Sequence, residues 1–73
     1  MNVARNIKRA RKAKGLSKAE LARRLKRSRS TVLTWESGGP GPKLDDLPDI
    51  AKELDTTVGR LLGIETDGET KAS

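Results

Sequence analysis

The side chains with most to offer chemically lie together in residues 25–42, LKRSRSTVLTWESGGPGP. Lys26, Arg27 and Arg29 supply cations, and Ser28, Ser30, Thr31, Thr34 and Ser37 supply hydroxyls. Gly38, Gly39, Pro40, Gly41 and Pro42 then end the stretch abruptly. Cations and hydroxyls at this spacing attract and hydrogen-bond an anionic surface. The chain has no Cys and no His, so it offers no thiol nucleophile, imidazole base, disulfide or ordinary zinc set. An enzyme reading therefore lacks a catalytic group, and no metal or cofactor is expected.

The net charge of +6 conceals an asymmetry. Residues 1–37 carry 12 Lys and Arg against Glu20 and Glu36, a net of +10, whereas residues 38–73 carry 4 basic and 8 acidic residues, a net of −4. A concentration of one sign attracts polyanions and speeds their encounter. A solvated, solubilising surface is the plainer alternative, and nucleic acid is the favoured partner.

At 73 residues the chain is one small domain, able to bury only about 60% of its unfolded surface. Leu, Ile, Val and Phe total 15, close to the composition at which highly charged chains stop folding, so pattern must decide. No apolar run approaches the roughly 18 residues that span a bilayer, and the basic N-terminus lacks the apolar stretch of a secretory signal. A cytoplasmic, nucleoid-associated protein is expected, with no membrane partner.

The spacing of apolar residues predicts five helices and no strands. The first covers residues 3–14, with Asn2 as N-cap, Gly15 following its end, and Val3, Ile7 and Ala10 forming its apolar stripe. Ser17 opens the second with the capping box SKAE, in which Ser17 and Glu20 each satisfy a backbone donor. Leu21, Ala22 and Leu25 form its inner face. Ser28 is the next good N-cap, so only two or three residues turn the chain between the second and third helices, which makes a helix-turn-helix.

The third helix covers residues 29–37. Steps of about 100° put Val32, Trp35 and Glu36 on one side and Ser30, Thr34 and Ser37 on the other, with Leu33 on the flank. Small hydroxyl side chains let that outer side approach another surface closely. The fourth helix is predicted over residues 44–54, but Pro48 belongs in its first turn, so its regular part is expected to begin only at Asp46, with Leu47, Ile50, Ala51 and Leu54 buried. Thr57 caps a last helix over residues 58–62, ended by Gly63, and residues 65–73 read as a disordered tail. The domain is thus expected over residues 1–64.

At this point the sequence resembles the phage repressor and Cro type of helix-turn-helix domain. The resemblance runs through RKAKGLSKAELARRL, SRSTVLTWESG and LPDIAKELDTTVGRLLG, from about Ile7 to Gly63. It implies an all-α fold, a compact five-helix bundle of the lambda-repressor-like type, whose third helix lies in the major groove of double-stranded DNA. It also implies a transcriptional regulator, most simply a repressor.

Residue roles follow from the matching positions. Arg11 and Glu36 match a partly buried ion pair between the first and third helices. Arg29, Ser30 and Thr34, with Thr31 and Leu33, match base-reading positions; an Arg there has the geometry for a bidentate bond to guanine O6 and N7. Leu33 reads two ways, as an incidental exposed Leu or as a contact for a thymine methyl. Ser17, Lys18, Ser28, Ser37 and Lys43 match phosphate-contacting positions, and the N–H groups that open the second helix are a natural anion site. Lys26, Arg27 and Arg24 add positive charge nearby, with Arg27 taken as a further phosphate contact. Trp35 is read as core edge rather than a stacking platform.

Three departures stand out, the first being that the loop GGPGP lacks the charged residues usual after the motif, so backbone amides and Lys43 must do the phosphate work there. Lys26 occupies the place where the motif turn usually has Gly, so a residue with a Cβ must take φ > 0 there at a cost of about 1 kcal/mol, or the turn must differ. Arg27 replaces a usual apolar residue. One such domain makes few base contacts, so the resemblance implies a homodimer on a palindromic operator, with Val58, Leu62 and Ile64 as candidate dimer residues. The alternative is an antitoxin or protein-interaction module, whose acidic second half masks a toxin partner and whose DNA binding is secondary.

Overall fold

Ser17, Ser28 and Thr57 each have extended backbone, and each side-chain oxygen accepts from the N–H three residues on: Glu20, Thr31 and Arg60. These local bonds satisfy donors that a helix start otherwise leaves orphaned. The computed structural model describes residues 3–64; Asn2 and the expected tail over residues 65–73 lie outside the described residues.

The helices are α1 (Val3–Ala13), α2 (Lys18–Leu25), α3 (Arg29–Glu36), α4 (Leu47–Glu53) and α5 (Val58–Leu62), with a 3-10 turn, η1 (Leu44–Asp46), before α4. The described residues contain no strand. The helix expected over residues 44–54 is thus divided. Pro48 stands in the first turn of α4, where its missing N–H costs nothing, and the chain ahead of it tightens into η1.

All five helices end on a residue of positive φ: Gly15 (+77°), Lys26 (+59°), Gly38 (+90°), Asp55 (+58°) and Gly63 (+82°). In each case the N–H of the following residue reaches back to a carbonyl five positions earlier, as Leu16 does to Arg11 and Arg27 to Ala22. This closure satisfies carbonyls that a helix end leaves open. Three of the five positions carry Gly; Lys26 and Asp55 hold the same conformation with a Cβ.

The core is drawn from every helix. Ile7, Leu21, Ala22, Val32, Trp35, Leu47, Ile50, Ala51, Leu54 and Leu61 are buried, and Val3, Ala10, Leu16, Leu25, Val58 and Leu62 pack around them. Each large aliphatic side chain removed from water contributes about 1.5–3 kcal/mol against the entropy of ordering so small a chain. Ala22, 2% exposed, lets α2 and α3 cross closely. Asn6 Nδ2 donates to the Leu61 carbonyl at 3.0 Å and so fastens α1 to α5.

Candidate nucleic-acid interface

The interface is built from the inside of α3 outward. Val32 is fully buried and Trp35 is 5% exposed, which fixes the rotation of the helix about its own axis. Arg11 then pins its last turn. The Arg11 Nε donates to Glu36 Oε2 at 2.7 Å, and Nη2 donates to Oε1 at 2.9 Å. Its remaining nitrogen, Nη1, donates to the Leu16 carbonyl at 2.7 Å. The side chains of the pair are 8% and 3% exposed. The hydrogen bonds to Glu36 raise the Arg11 pKa above its ordinary value, with the Glu36 charge adding to them and burial opposing both. One guanidinium thus joins the end of α3 to the entrance of α2.

With that side held down, the other side of α3 faces solvent. Arg29, Ser30 and Thr34 are exposed, and Leu33 is 46% exposed. Thr31 is half-buried, and its hydroxyl lies 2.9 Å from Ser28 Oγ, so it belongs to the cap of α3 as well as to its surface. Ser37 closes the far end: its N–H donates to the Leu33 carbonyl and its hydroxyl donates to the Thr34 carbonyl at 3.3 Å. The loop that follows folds back closely. A Cβ on Gly39 would lie 3.1 Å from Thr34 Cγ2, so the loop passes close to the outward row.

Around the row stand the residues matched to phosphate contacts. Ser17 is exposed at the start of α2, with Lys18 half-buried beside it; Ser28 is exposed at the start of α3, and Lys43 is exposed at the start of η1. Glu20 departs from the reciprocal capping box. Ser17 Oγ accepts from the Glu20 N–H at 3.0 Å, but the Glu20 carboxylate turns along the helix to Arg23 and Arg24. Hydrogen bonds from Arg23 first, then Arg24, hold its pKa below the ordinary carboxylate value. Arg24, expected to add free charge, is therefore partly neutralised.

Arg27 has a partner that its reading from sequence did not include. Expected from sequence as a phosphate contact, its guanidinium hydrogen-bonds Asp46, across 19 positions, and ties the α2–α3 turn to η1. The reason is local. An Arg at a position that turns toward α4 meets a carboxylate there that is 15% exposed, and pairing relieves both groups. Asp46 was read from sequence only as the point where the regular part of the fourth helix begins, not as a partner for Arg27. Its only signal was an unexpected cation at an apolar position, with nothing in the spacing to name the partner. Lys26 has φ +59° and ψ +41°, the left-handed conformation that the motif turn requires.

Among the described residues no group of three or more acidic, Cys or His side chains is placed to hold a metal ion. Among the same residues no helix is long and apolar enough to cross a membrane.

A tight helix pair, a buried inner side on the second helix of the pair and a cation-rimmed polar outer side define the class: a helix-turn-helix DNA-binding domain. The helix-turn-helix family model matches residues 7–61, and the chain belongs to this family, in its phage-repressor-like, XRE type. The family is one of DNA-binding transcription regulators, and this chain is a DNA-binding regulatory domain of that kind. No curated protein and no solved structure matches the chain.

Proposed function

We propose that the chain is a sequence-specific repressor of transcription that reads the major groove of duplex DNA with the outer side of α3. The observation that carries this reading is the division of one eight-residue helix. Val32, Trp35 and the Glu36 side chain are buried, while Arg29, Ser30, Leu33 and Thr34 stand exposed in one row. In this reading Arg29, Ser30 and Thr34 contact base edges, with Leu33 and Thr31 at the margin of the row. Ser17, Lys18, Ser28, Ser37 and Lys43 position the domain on phosphates. Residues 1–64 act as the DNA-binding unit, in the cytoplasm.

A single recognition helix of this length touches few base pairs. Useful discrimination then calls for two copies on a palindrome, with half-sites about 34–36 Å apart. Ile64, 72% exposed beyond α5, and the half-buried Val58 and Leu62 are the proposed contact between copies. Selection of bound duplexes from a random pool tests the reading. An enriched motif with two inverted halves is expected; a pool that stays random overturns sequence-specific repression.

A further inference from the structure

Asp46 is an acidic residue bonded to two of the segments proposed to meet DNA, and the recognition scheme gives it no task. Its carboxylate is 15% exposed and has two partners, one on each oxygen. Oδ1 accepts from Arg27 Nη2, in the turn between α2 and α3. Oδ2 accepts from the Lys43 N–H at 3.2 Å, where the loop after α3 enters η1. The Asp46 N–H in turn donates to the Lys43 carbonyl at 2.9 Å. The two segments held are those that carry Ser28 and Lys43.

We propose that Asp46 is a positioning residue for DNA binding, a single carboxylate that sets the separation between the α2–α3 turn and the loop start at Lys43, and hence between two phosphate contacts on either side of α3. The proposal rests on the DNA-binding reading above. Its physical basis is register. Phosphates along a duplex have fixed spacing, so two contacts help specific docking only if the protein holds them at that spacing beforehand. Pro40 and Pro42 restrict the loop locally and the Gly39 N–H ties its start to the Thr34 carbonyl, while the Asp46 clasp fixes its far end at Lys43.

The clasp has a second consequence. Arg27 spends its charge on Asp46, so it is not one of the cations that release counterions from DNA. Non-specific attraction is thereby lowered while the geometry for specific docking is kept. The pair favours discrimination over raw affinity.

The test measures Kd across a range of salt concentrations for the duplex the parent enriches and for a random-sequence duplex, at a temperature where circular dichroism shows every variant folded. Asp46→Ala is expected to weaken binding to the enriched duplex about tenfold. Its binding to random duplex is expected to hold or tighten, with a salt slope steeper by about one because Arg27 is released. Arg27→Gln is expected to weaken enriched-duplex binding while leaving the random-duplex slope unchanged. Combined, the two substitutions should cost less than the product of their separate losses, because they break one clasp.

Equal losses on both duplexes for Asp46→Ala, or a Kd for the enriched duplex within about twofold of the parent, overturn the proposal. So does a slope shallower by about one for Arg27→Gln, which would put Arg27 on a phosphate. A parent that enriches no duplex overturns the DNA-recognition reading and this inference together. The four outcomes are distinct.

Discussion

Arg11 and Glu36, 25 positions apart, are joined by two parallel hydrogen bonds between planar groups, at 2.7 and 2.9 Å. This arrangement is the strong form of an ion pair, because it fixes orientation as well as distance. Both side chains are out of water, so either one left alone would be a buried, unmatched charge. Removing one partner of such a pair costs about 3–5 kcal/mol, comparable with the whole stability of a domain this small. Arg11→Ala is therefore expected to lower Tm by more than about 12 °C in thermal melts. Replacing both members with apolar groups of similar size, Arg11→Met with Glu36→Leu, should recover most of that loss. A single variant that melts with the parent would show that the pair does not hold α3.

Lys26 offers a prediction of opposite sign. Its φ of +59° carries a Cβ into a region that costs a side chain about 1 kcal/mol and costs glycine nothing. Lys26→Gly is expected to raise Tm by about 2–6 °C, less than the full relief because glycine also loosens the unfolded chain. The same variant removes an exposed cation, so its DNA binding should depend slightly less on salt. A fall in Tm would mean that Lys26 makes contacts worth more than the strain.

Arg29 and Lys43 should separate cleanly in binding assays. Arg29→Ala is expected to relax preference at one position of each half-site and to cost about 1–3 kcal/mol on the enriched duplex only. Lys43→Ala should weaken all duplexes alike and make the salt dependence shallower by about one. The reverse pattern would exchange their roles as base reader and phosphate contact.

Glu20 gives a pH dependence whose sign follows from its pKa. Folding lowers that pKa, through Arg23 and then Arg24, so the folded state holds the proton less tightly than the unfolded chain. The resulting stability is present above the unfolded value, about 4.3, and is lost as pH falls through the lower folded value. Glu20→Gln should therefore show a shallower fall in Tm on acidification than the parent, with the curves converging in strong acid. Arg11 behaves oppositely. Its raised pKa keeps the contribution of the pair through neutral pH, to be lost only as pH rises through that value, at the alkaline extreme.

What could be read from the sequence was what depends on near neighbours. Ser17, Ser28 and Thr57 mark helix starts because a capping oxygen reaches only three residues along the chain. The inner residues Val32 and Trp35 were legible because helical period alone sorts them from Ser30 and Thr34. The left-handed turn at Lys26 and the Arg11–Glu36 pairing followed from the family resemblance and its matching positions. Three things were beyond such reasoning. Glu20 had two ways to spend its carboxylate, and two arginines one turn away outweighed the single backbone N–H. The 3-10 turn at Leu44–Asp46 is closed by the Asp46 N–H on the Lys43 carbonyl just ahead of Pro48, a choice between two kinds of helical turn that apolar spacing does not distinguish. Arg27 and Asp46 meet only because the bundle has already brought α2 and α4 together.

The single aromatic residue of the chain, Trp35, sits in the core directly after Thr34 of the outward row. All near-ultraviolet emission from the molecule therefore originates at one indole, shielded from water on the inner side of α3. Its intensity and colour register the integrity of the bundle without any label, and a shift on adding duplex would signal strain transmitted through α3. The protein carries its own optical gauge, mounted on the helix proposed to enter the groove.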